Sequence, residues 1–188
     1  GGTGANYKLL SSSVANTVSS YLDTTQITSD VSYVYTFTPF NSANAAGPAV
    51  TLVAYTLPSL NMTLTNVVIT TNSIQYQYQG KYDYLQLYRN NAYITTDYSG
   101  NNTVNTFLDN NGIVANTSYI YKLIPFNHLD QSGGFVRYQM YTLASLTSAY
   151  VSLDTSSQIQ MSLVGNYSYV TVTRNDGQTG IASGSTYS

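Results

Sequence analysis

Cysteine, tryptophan and glutamate are absent from this 188-residue sequence, and only 7% of its residues are charged, against about 25% in typical soluble domains. Without cysteine, the chain has no disulfide framework and no thiolate ligand for a metal. Its 6 basic and 8 acidic residues give a formal net charge of −2 and form no basic stripe. Nucleic acid is therefore a poor candidate partner.

Long apolar runs are also missing. The longest, such as residues 67–69, fall far short of the roughly 18 residues that a membrane helix needs, and no signal peptide is recognisable. We therefore expect no membrane insertion. The sequence opens on glycines rather than on methionine, which we interpret as a processed product or a window of a longer polypeptide.

Tyrosine and small uncharged polar residues take the place of charge. There are 20 tyrosines, and Asn, Ser and Thr supply most of the remaining polarity. Each buried tyrosine ring carries a hydroxyl that needs a partner or water. This composition is typical of extracellular fibres and surface proteins, so we expect the protein outside the cell, at a cell surface or on a virion surface.

A repeat of about 86 residues organises the chain. A fixed period of this length predicts an array of like domains. The recurring segments, first copy and then second, are 31–41 and 117–127, 55–60 and 141–146, and, at a shift of 85, 80–90 and 165–175.

The repeat divides the chain into three predicted pieces. Residues 59–146 are one complete unit, residues 1–58 hold only the last strands of a unit, and residues 147–188 hold only its first strands. The two ends share a phase of the repeat, since residues 1–4 (GGTG) resemble residues 177–180 (GQTG). Half a sandwich exposes unpaired strand edges, so each terminal piece is expected to be completed by a continuous array or by a neighbouring chain.

Within a unit, apolar residues alternate with polar ones, as in strands with one buried face. We predict about seven short strands in each ~86-residue repeat, which is the size of an immunoglobulin-like sandwich. Tyr84 and Tyr169 are predicted to point outward. The predicted inward residues are Ile74, Tyr76, Tyr78, Leu85 and Leu87, with Val170 and Val172 in the third piece.

Residues 113–121 (IVANTSYIY), followed by residues 125–127 (PFN) and a glycine-containing turn, resemble the end of the E strand and the F strand of fibronectin type III domains. The resemblance implies an all-β chain of tandem fibronectin type III or immunoglobulin-like β-sandwich modules. It also implies that Tyr119 and, one repeat earlier, Tyr33 are tyrosine-corner residues, whose hydroxyls bond to nearby backbone.

The B strand departs from the fibronectin type III pattern, because the family's usual buried tryptophan is missing. By the same resemblance, its space is filled by Tyr76 or Tyr78, and by Leu163 in the third piece. The low-charge texture looks more similar to repeats in giant-virus virion proteins and microbial surface fibres than to animal fibronectin.

No catalytic or cofactor-binding pattern is visible. His128, the one histidine, lies in a predicted loop without a cysteine, a glutamate or a second histidine to build a transition-metal site. The aspartates stand singly, most at turn positions such as Asp109 and Asp176. Arg89 and Arg174 recur beside predicted turns, where a solvated hairpin is the simpler interpretation. We predict no catalytic residue, no metal, no cofactor and no enzyme activity.

Five tyrosines crowd one region of the complete unit, where there are more rings than a thin sandwich core can absorb. We predict that they point outward and form an interface, since tyrosine supplies rigid contact area with a polar tip. Lateral packing in a fibre, contact with carbohydrate or a host surface, and ordinary packing all remain open. The five are Tyr82, Tyr84, Tyr88, Tyr93 and Tyr98.

Four Asn-x-Ser/Thr sequons occur, a number that this composition yields by chance. They are candidate N-glycosylation sites if the protein is secreted, and the Asn-rich loop around Asn101 is the most accessible by sequence. The sites are Asn61, Asn101, Asn116 and Asn166.

Together, these patterns predict a structural repeat module of an extracellular or virion-surface fibre. We expect the chain to associate with itself into a linear or helical fibre, either in a continuous array or by strand complementation between neighbouring chains. An adhesive or carbohydrate-binding surface module, with glycans as partners, is the alternative. A spacer of a secreted polysaccharide-degrading enzyme is the third hypothesis.

Overall fold

A computed structural model of the protein describes residues 20–61 and 63–184. These residues form fourteen β-strands and no helix, so the prediction of an all-β protein is confirmed. Accordingly, this part of the chain has no helix long and apolar enough to cross a membrane. The chain divides into two compact units, Gly1–Thr56 (unit 1) and Leu57–Ser188 (unit 2). The division into three pieces stays a prediction.

Unit 1 contains one antiparallel hairpin in its described part, formed by β1 (Ser32–Phe37) and β2 (Val50–Tyr55). The connection folds back on itself because Asn41 Oδ1 accepts hydrogen bonds from the backbone N–H groups of Ala43 and Ala45, both at 2.9 Å. Asparagine commonly stabilises turns in this way.

Unit 2 contains the other twelve strands, all joined in antiparallel pairs. They are β3 (Ser59–Leu60), β4 (Thr65–Ile69), β5 (Ile74–Lys81), β6 (Tyr84–Arg89), β7 (Ala92–Asp97), β8 (Asn101–Asp109), β9 (Ser118–Phe126), β10 (Val136–Tyr141), β11 (Ser145–Asp154), β12 (Ile159–Asn166), β13 (Tyr169–Thr173) and β14 (Thr179–Ser183).

Strands β3–β10 form two sheets. In the first, β5 pairs with β8 along one edge, and with β3 and β4 at different ends of the other edge. The second sheet has the order β10-β9-β6-β7. Because one edge of the first sheet is divided between β3 and β4, this repeat has eight strands where about seven were predicted. Strands β11–β12 and β13–β14 form two further two-stranded sheets.

The two sheets of β3–β10 enclose the core, and we call this part of unit 2 the central sandwich. Tyr76 of β5 lies between the sheets, with its ring centroid 5.4 Å from that of Tyr121 in β9 and 5.4 Å from that of Phe107 in β8. Fully burying one large apolar side chain contributes about 1.5–3 kcal/mol. The inward positions predicted for β5 and β6 are confirmed, because Ile74, Tyr76, Tyr78, Leu85 and Leu87 are all buried.

Candidate assembly interface

A buried carboxylate joins the two sheets of the central sandwich. Asp109, 4% exposed, ends β8 and accepts hydrogen bonds from the Tyr121 hydroxyl at 2.7 Å and from Arg89 Nη1 at 2.8 and 2.9 Å. Arg89 ends β6 directly opposite Tyr121 in β9, so the register brings both donors to one carboxylate. Burial, and then the hydrogen bond to Asp109, raises the pKa of Tyr121. A carboxylate this deep is stable only when it is paired and hydrogen-bonded.

The same carboxylate and tyrosine occur 86 positions earlier, in unit 1. Tyr35 Oη donates to Asp23 Oδ2 at 3.0 Å, and the Thr25 backbone N–H donates to Asp23 Oδ1 at 2.9 Å. Asp23 is half-buried. Residues 20–56, the described part of unit 1, contain neither arginine nor lysine, so this carboxylate has no cation from its own described neighbours.

The arginine that matches Arg89 in the repeat is Arg174, 85 positions later. It directly follows β13, and its side chain is 67% exposed. Arg174 Nε donates to Asp176 Oδ1 at 2.9 Å, and this contact lowers the pKa of Asp176. An ion pair between two exposed side chains contributes little to stability. Arg174 therefore neutralises a solvated carboxylate, whereas Arg89 neutralises a buried one.

Strand β13 has an open edge in the described part of the chain. It pairs only with β14 among the described residues, whereas its counterpart β6 has β7 on one side and β9 on the other. Apolar side chains of β12, the strand before β13, are exposed as well. Ile159 is 69% exposed, while its counterpart Ile74 is 0% exposed. Val170 and Val172, predicted to point inward, are only half-buried. We define the β12–β13 site as the free edge of β13 together with Ile159, Met161, Val170 and Val172.

Strand β1 in unit 1 also has an open edge as far as residues 20–61 and 63–184 show. It pairs only with β2 among the described residues, whereas its counterpart β9 lies between β6 and β10. Phe37 is 47% exposed and Val50 is 65% exposed, against 0% and 2% for their counterparts Leu123 and Val136. We define the β1–β2 surface as the free edge of β1 together with Tyr35, Phe37 and Val50.

No known protein family has a model that matches this chain. No curated protein matches it either. The central sandwich therefore serves as the reference for the strands that flank it.

The two tyrosines predicted at tyrosine corners make the same hydrogen bonds 86 positions apart. Tyr119 Oη accepts the backbone N–H of Val114 at 2.8 Å, and Tyr33 Oη accepts that of Thr28 at 2.8 Å. Each hydroxyl also donates to a backbone carbonyl seven residues upstream, at 3.5 Å from Tyr119 and 3.4 Å from Tyr33. A local network of hydrogen bonds is thus repeated in unit 1 and in the central sandwich.

The five tyrosines predicted to point outward do not share one environment. Tyr93 and Tyr98 are exposed, and the ring of Tyr93 lies edge-on to that of Tyr88 at 5.8 Å. Tyr84 and Tyr88 are half-buried. The Tyr84 ring stacks on Phe126 at 4.8 Å, and its hydroxyl donates to Asp130 at 2.9 Å.

The prediction that Tyr82 points outward is wrong, because this residue is only 3% exposed. Its hydroxyl donates to Asp97 Oδ2 at 2.8 Å, and Tyr78 donates to the same oxygen at 3.0 Å. The ring lies against Gly100, where an added Cβ would clash with the Tyr82 ring, so glycine is what makes room for it. Burial opposes ionisation of Asp97, but hydrogen bonds from Ser99, Tyr82 and Tyr78 outweigh it and lower the pKa of Asp97.

The four sequon asparagines differ in exposure. Asn61 and Asn101 are exposed, and Asn101 is the first residue of β8 rather than part of a loop. Asn116 and Asn166 are half-buried, and Asn116 Oδ1 accepts a hydrogen bond from Ser168 Oγ at 3.2 Å. Glycosylation of any of them stays a prediction.

His128 lies beside a carboxylate rather than in a metal-binding cluster. Its Nδ1 is 3.5 Å from Asp83 Oδ2, and both side chains are about half exposed. Within residues 20–61 and 63–184, no three His, Cys, Asp or Glu side chains come together in a way that could hold a metal ion.

Sequence reasoning missed the buried ion pair of the central sandwich. The interpretation of Arg89 as a solvated hairpin residue is wrong, because its guanidinium binds the buried Asp109. A usable signal is present in the sequence: Arg89 recurs as Arg174 and Asp109 matches Asp23, in a chain with only 6 basic residues. Recurrence of opposite charges in the same repeat indicates a pair, even though the two residues are 20 positions apart.

Proposed function

We propose that this protein is a structural repeat module of an extracellular or virion-surface fibre, built from fibronectin type III-like sandwiches that associate end to end. One observation carries the proposal. The β12–β13 site and the β1–β2 surface each leave open the strand edge and the apolar side chains that the central sandwich covers.

The order of the strands supports the fibronectin type III-like part of the proposal. If β3 and β4 are taken as strand A and the following strands as B, C, C′, E, F and G, the two sheets group as A-B-E and G-F-C-C′. That grouping fits an immunoglobulin-like sandwich of the fibronectin type III kind.

Repetition of local hydrogen bonds supports the tandem arrangement. Thr142 Oγ1 donates to the carbonyl of Val114 at 2.6 Å, and 86 positions earlier Thr56 Oγ1 donates to that of Thr28 at 2.7 Å. The backbone N–H of Gly133 donates to the carbonyl of Pro125 at 3.0 Å. In the same way, the backbone N–H of Gly47 donates to the carbonyl of Pro39 at 2.8 Å. Equal local networks at one period are what a string of like domains requires.

Open strand edges support association. An edge strand with unpaired backbone groups adds a further strand readily, and apolar side chains beside it gain burial when it does so. A heterologous contact of this kind, repeated from copy to copy, builds a linear or helical filament.

Electron microscopy and sedimentation of the purified 188-residue chain test the proposal. We expect unbranched filaments above a threshold concentration and dissociation into monomers on dilution. A folded chain that stays monodisperse and monomeric at all concentrations, by light scattering, contradicts the proposed self-association.

A further inference from the structure

We propose that the β1–β2 surface of a second copy of this chain docks on the β12–β13 site, and that Arg174 then leaves Asp176 to pair with Asp23 of that copy. The inference rests on the self-association proposed above, and it adds the residues and the register of the contact.

The central sandwich defines the register of the docked strand. There β9 pairs with β6 so that Leu123 lies opposite Leu87, and Tyr121 opposite Arg89. Applying the repeat, β1 of the second copy pairs antiparallel with β13 of the first. Phe37 then lies opposite Val172, Tyr35 opposite Arg174, and Thr38 opposite Thr171.

Burial of apolar side chains drives this contact. In the central sandwich, Tyr76 of β5 packs against Tyr121 of β9, and both are fully buried. Their counterparts are Met161 in the β12–β13 site and Tyr35 in the β1–β2 surface, neither of which is fully buried. Docking places these two side chains in contact and removes the largely exposed Ile159 from water.

Charge makes the contact specific for this pairing. Among the described residues, Asp23 already has the tyrosine and the backbone donor that Asp109 has, and it lacks only the arginine. Covering the β1–β2 surface would bury this carboxylate without a cation, which is costly unless an arginine accompanies it. Arg174 sits at the position of Arg89 in the repeat, and its exposed pair with Asp176 is easily exchanged.

A second copy is favoured over an unrelated partner because both halves of the missing arrangement are in this sequence. The occupant must supply a strand with an apolar side chain two residues beyond a tyrosine, together with a carboxylate held by that tyrosine. The segment that contains Asp23, Tyr35 and Phe37 supplies all three.

Charge reversal in the full chain tests the pairing. Arg174→Asp and Asp23→Arg are each expected to raise the concentration needed for filament formation by roughly 30-fold or more, because like charges then meet in the contact. An equimolar mixture of the two variants is expected to recover assembly, since each copy then offers the complement of the other. Arg137→Asp, a reversal at an exposed position of β10, is the control and leaves assembly unchanged.

The outcomes separate this inference from the proposed function. If the wild-type chain forms filaments and each single variant assembles equally well, the Arg174–Asp23 contact is overturned and the fibre proposal stands. Loss of assembly without recovery in the mixture also overturns the contact, whereas a monomeric wild-type chain overturns both. Circular dichroism of each variant shows whether it has folded.

Cysteine cross-linking tests the register independently of charge, because the natural chain has no cysteine. Directly opposed residues in an antiparallel pair are close enough for a disulfide. A mixture of the Thr38→Cys and Thr171→Cys variants is expected to form a disulfide-linked dimer under mild oxidation. Thr36→Cys in place of Thr38→Cys, two residues out of register, is expected to form much less. Equal yields overturn the register.

Discussion

The central sandwich and its flanking strands share one sequence pattern but differ in burial. Ile74 is fully buried in β5, while its counterpart Ile159 in β12 is largely exposed, and the same contrast separates Leu123 from Phe37. Alternation of apolar and polar residues therefore determines which way a side chain points. Whether that side chain leaves water depends on the size of the sheets. Among the described residues, the central sandwich has two four-stranded sheets, whereas the flanking strands form only two-stranded ones.

Local hydrogen bonds, unlike burial, are the same in the central sandwich and in the flanking strands of unit 1. The Tyr33 hydroxyl reaches Thr28 in unit 1 as the Tyr119 hydroxyl reaches Val114 in the central sandwich, because both bonds span only five residues. Packing joins residues that are far apart in sequence, and it needs all the strands of the fold. The flanking strands thus have the local structure of the repeat without its core, and an isolated two-stranded hairpin is marginally stable at best.

The largest expected difference in stability is the one between the Leu123→Ala and Phe37→Ala variants. Leu123→Ala creates a cavity in the core and should lower the free energy of unfolding of the central sandwich by about 2–5 kcal/mol. Phe37→Ala, measured below the concentration for assembly, should change it by less than about 0.5 kcal/mol. Urea unfolding followed by tyrosine fluorescence measures both. Similar losses would mean that Phe37 is already buried in the monomer.

Arg89→Ala and Arg174→Ala compare the buried ion pair with the exposed one. Removing Arg89 leaves Asp109 buried without its cation, and a loss of about 2–3 kcal/mol is expected after allowing for the partial exposure of the guanidinium. Arg174→Ala should leave the stability of the monomer unchanged within error. The same urea titration measures both variants, and a large loss in Arg174→Ala would show that its exposed pair supports the fold.

The sequence predicted the strands and their inward sides well, because alternation is a property of a few neighbouring residues. Ile74, Tyr76 and Tyr78 occupy the positions that the pattern indicates. Tyr82 was mispredicted because it lies between two strands, where no alternation applies. Its burial depends on Asp97 and on the space beside Gly100, both of which are distant in sequence.

The buried ion pair was beyond prediction by local pattern for the same reason. Arg89 and Asp109 end strands of different sheets, and they meet only when the sandwich closes. Composition does not predict such a site, since a single arginine beside a turn is ordinarily solvated. The repeat contains the missing information, because both residues of the pair recur in it. That recurrence can be interpreted once the structure of one complete copy is known.

Tyr121→Phe and Tyr76→Phe compare two core hydroxyls of the central sandwich. The Tyr121 hydroxyl donates to the buried Asp109, so its removal should cost about 1–2 kcal/mol. The Tyr76 hydroxyl is buried and has no hydrogen-bond partner among the described residues, so Tyr76→Phe should be neutral or stabilising. Urea unfolding again measures both. A loss in Tyr76→Phe equal to that in Tyr121→Phe would indicate a bound water at Tyr76.

The smallest effect on stability is expected at the exposed rings of the central sandwich. Tyr98 is 77% exposed, so Tyr98→Ala should change the free energy of unfolding by less than about 0.5 kcal/mol. If these rings pack filaments side by side, Tyr98→Ala and Tyr93→Ala should reduce lateral bundling in micrographs while single filaments still form. Saccharide binding by the same variants is the second measurement. Loss of binding with unchanged bundling would favour a carbohydrate-binding surface, because the rings would then serve a ligand rather than a neighbouring filament.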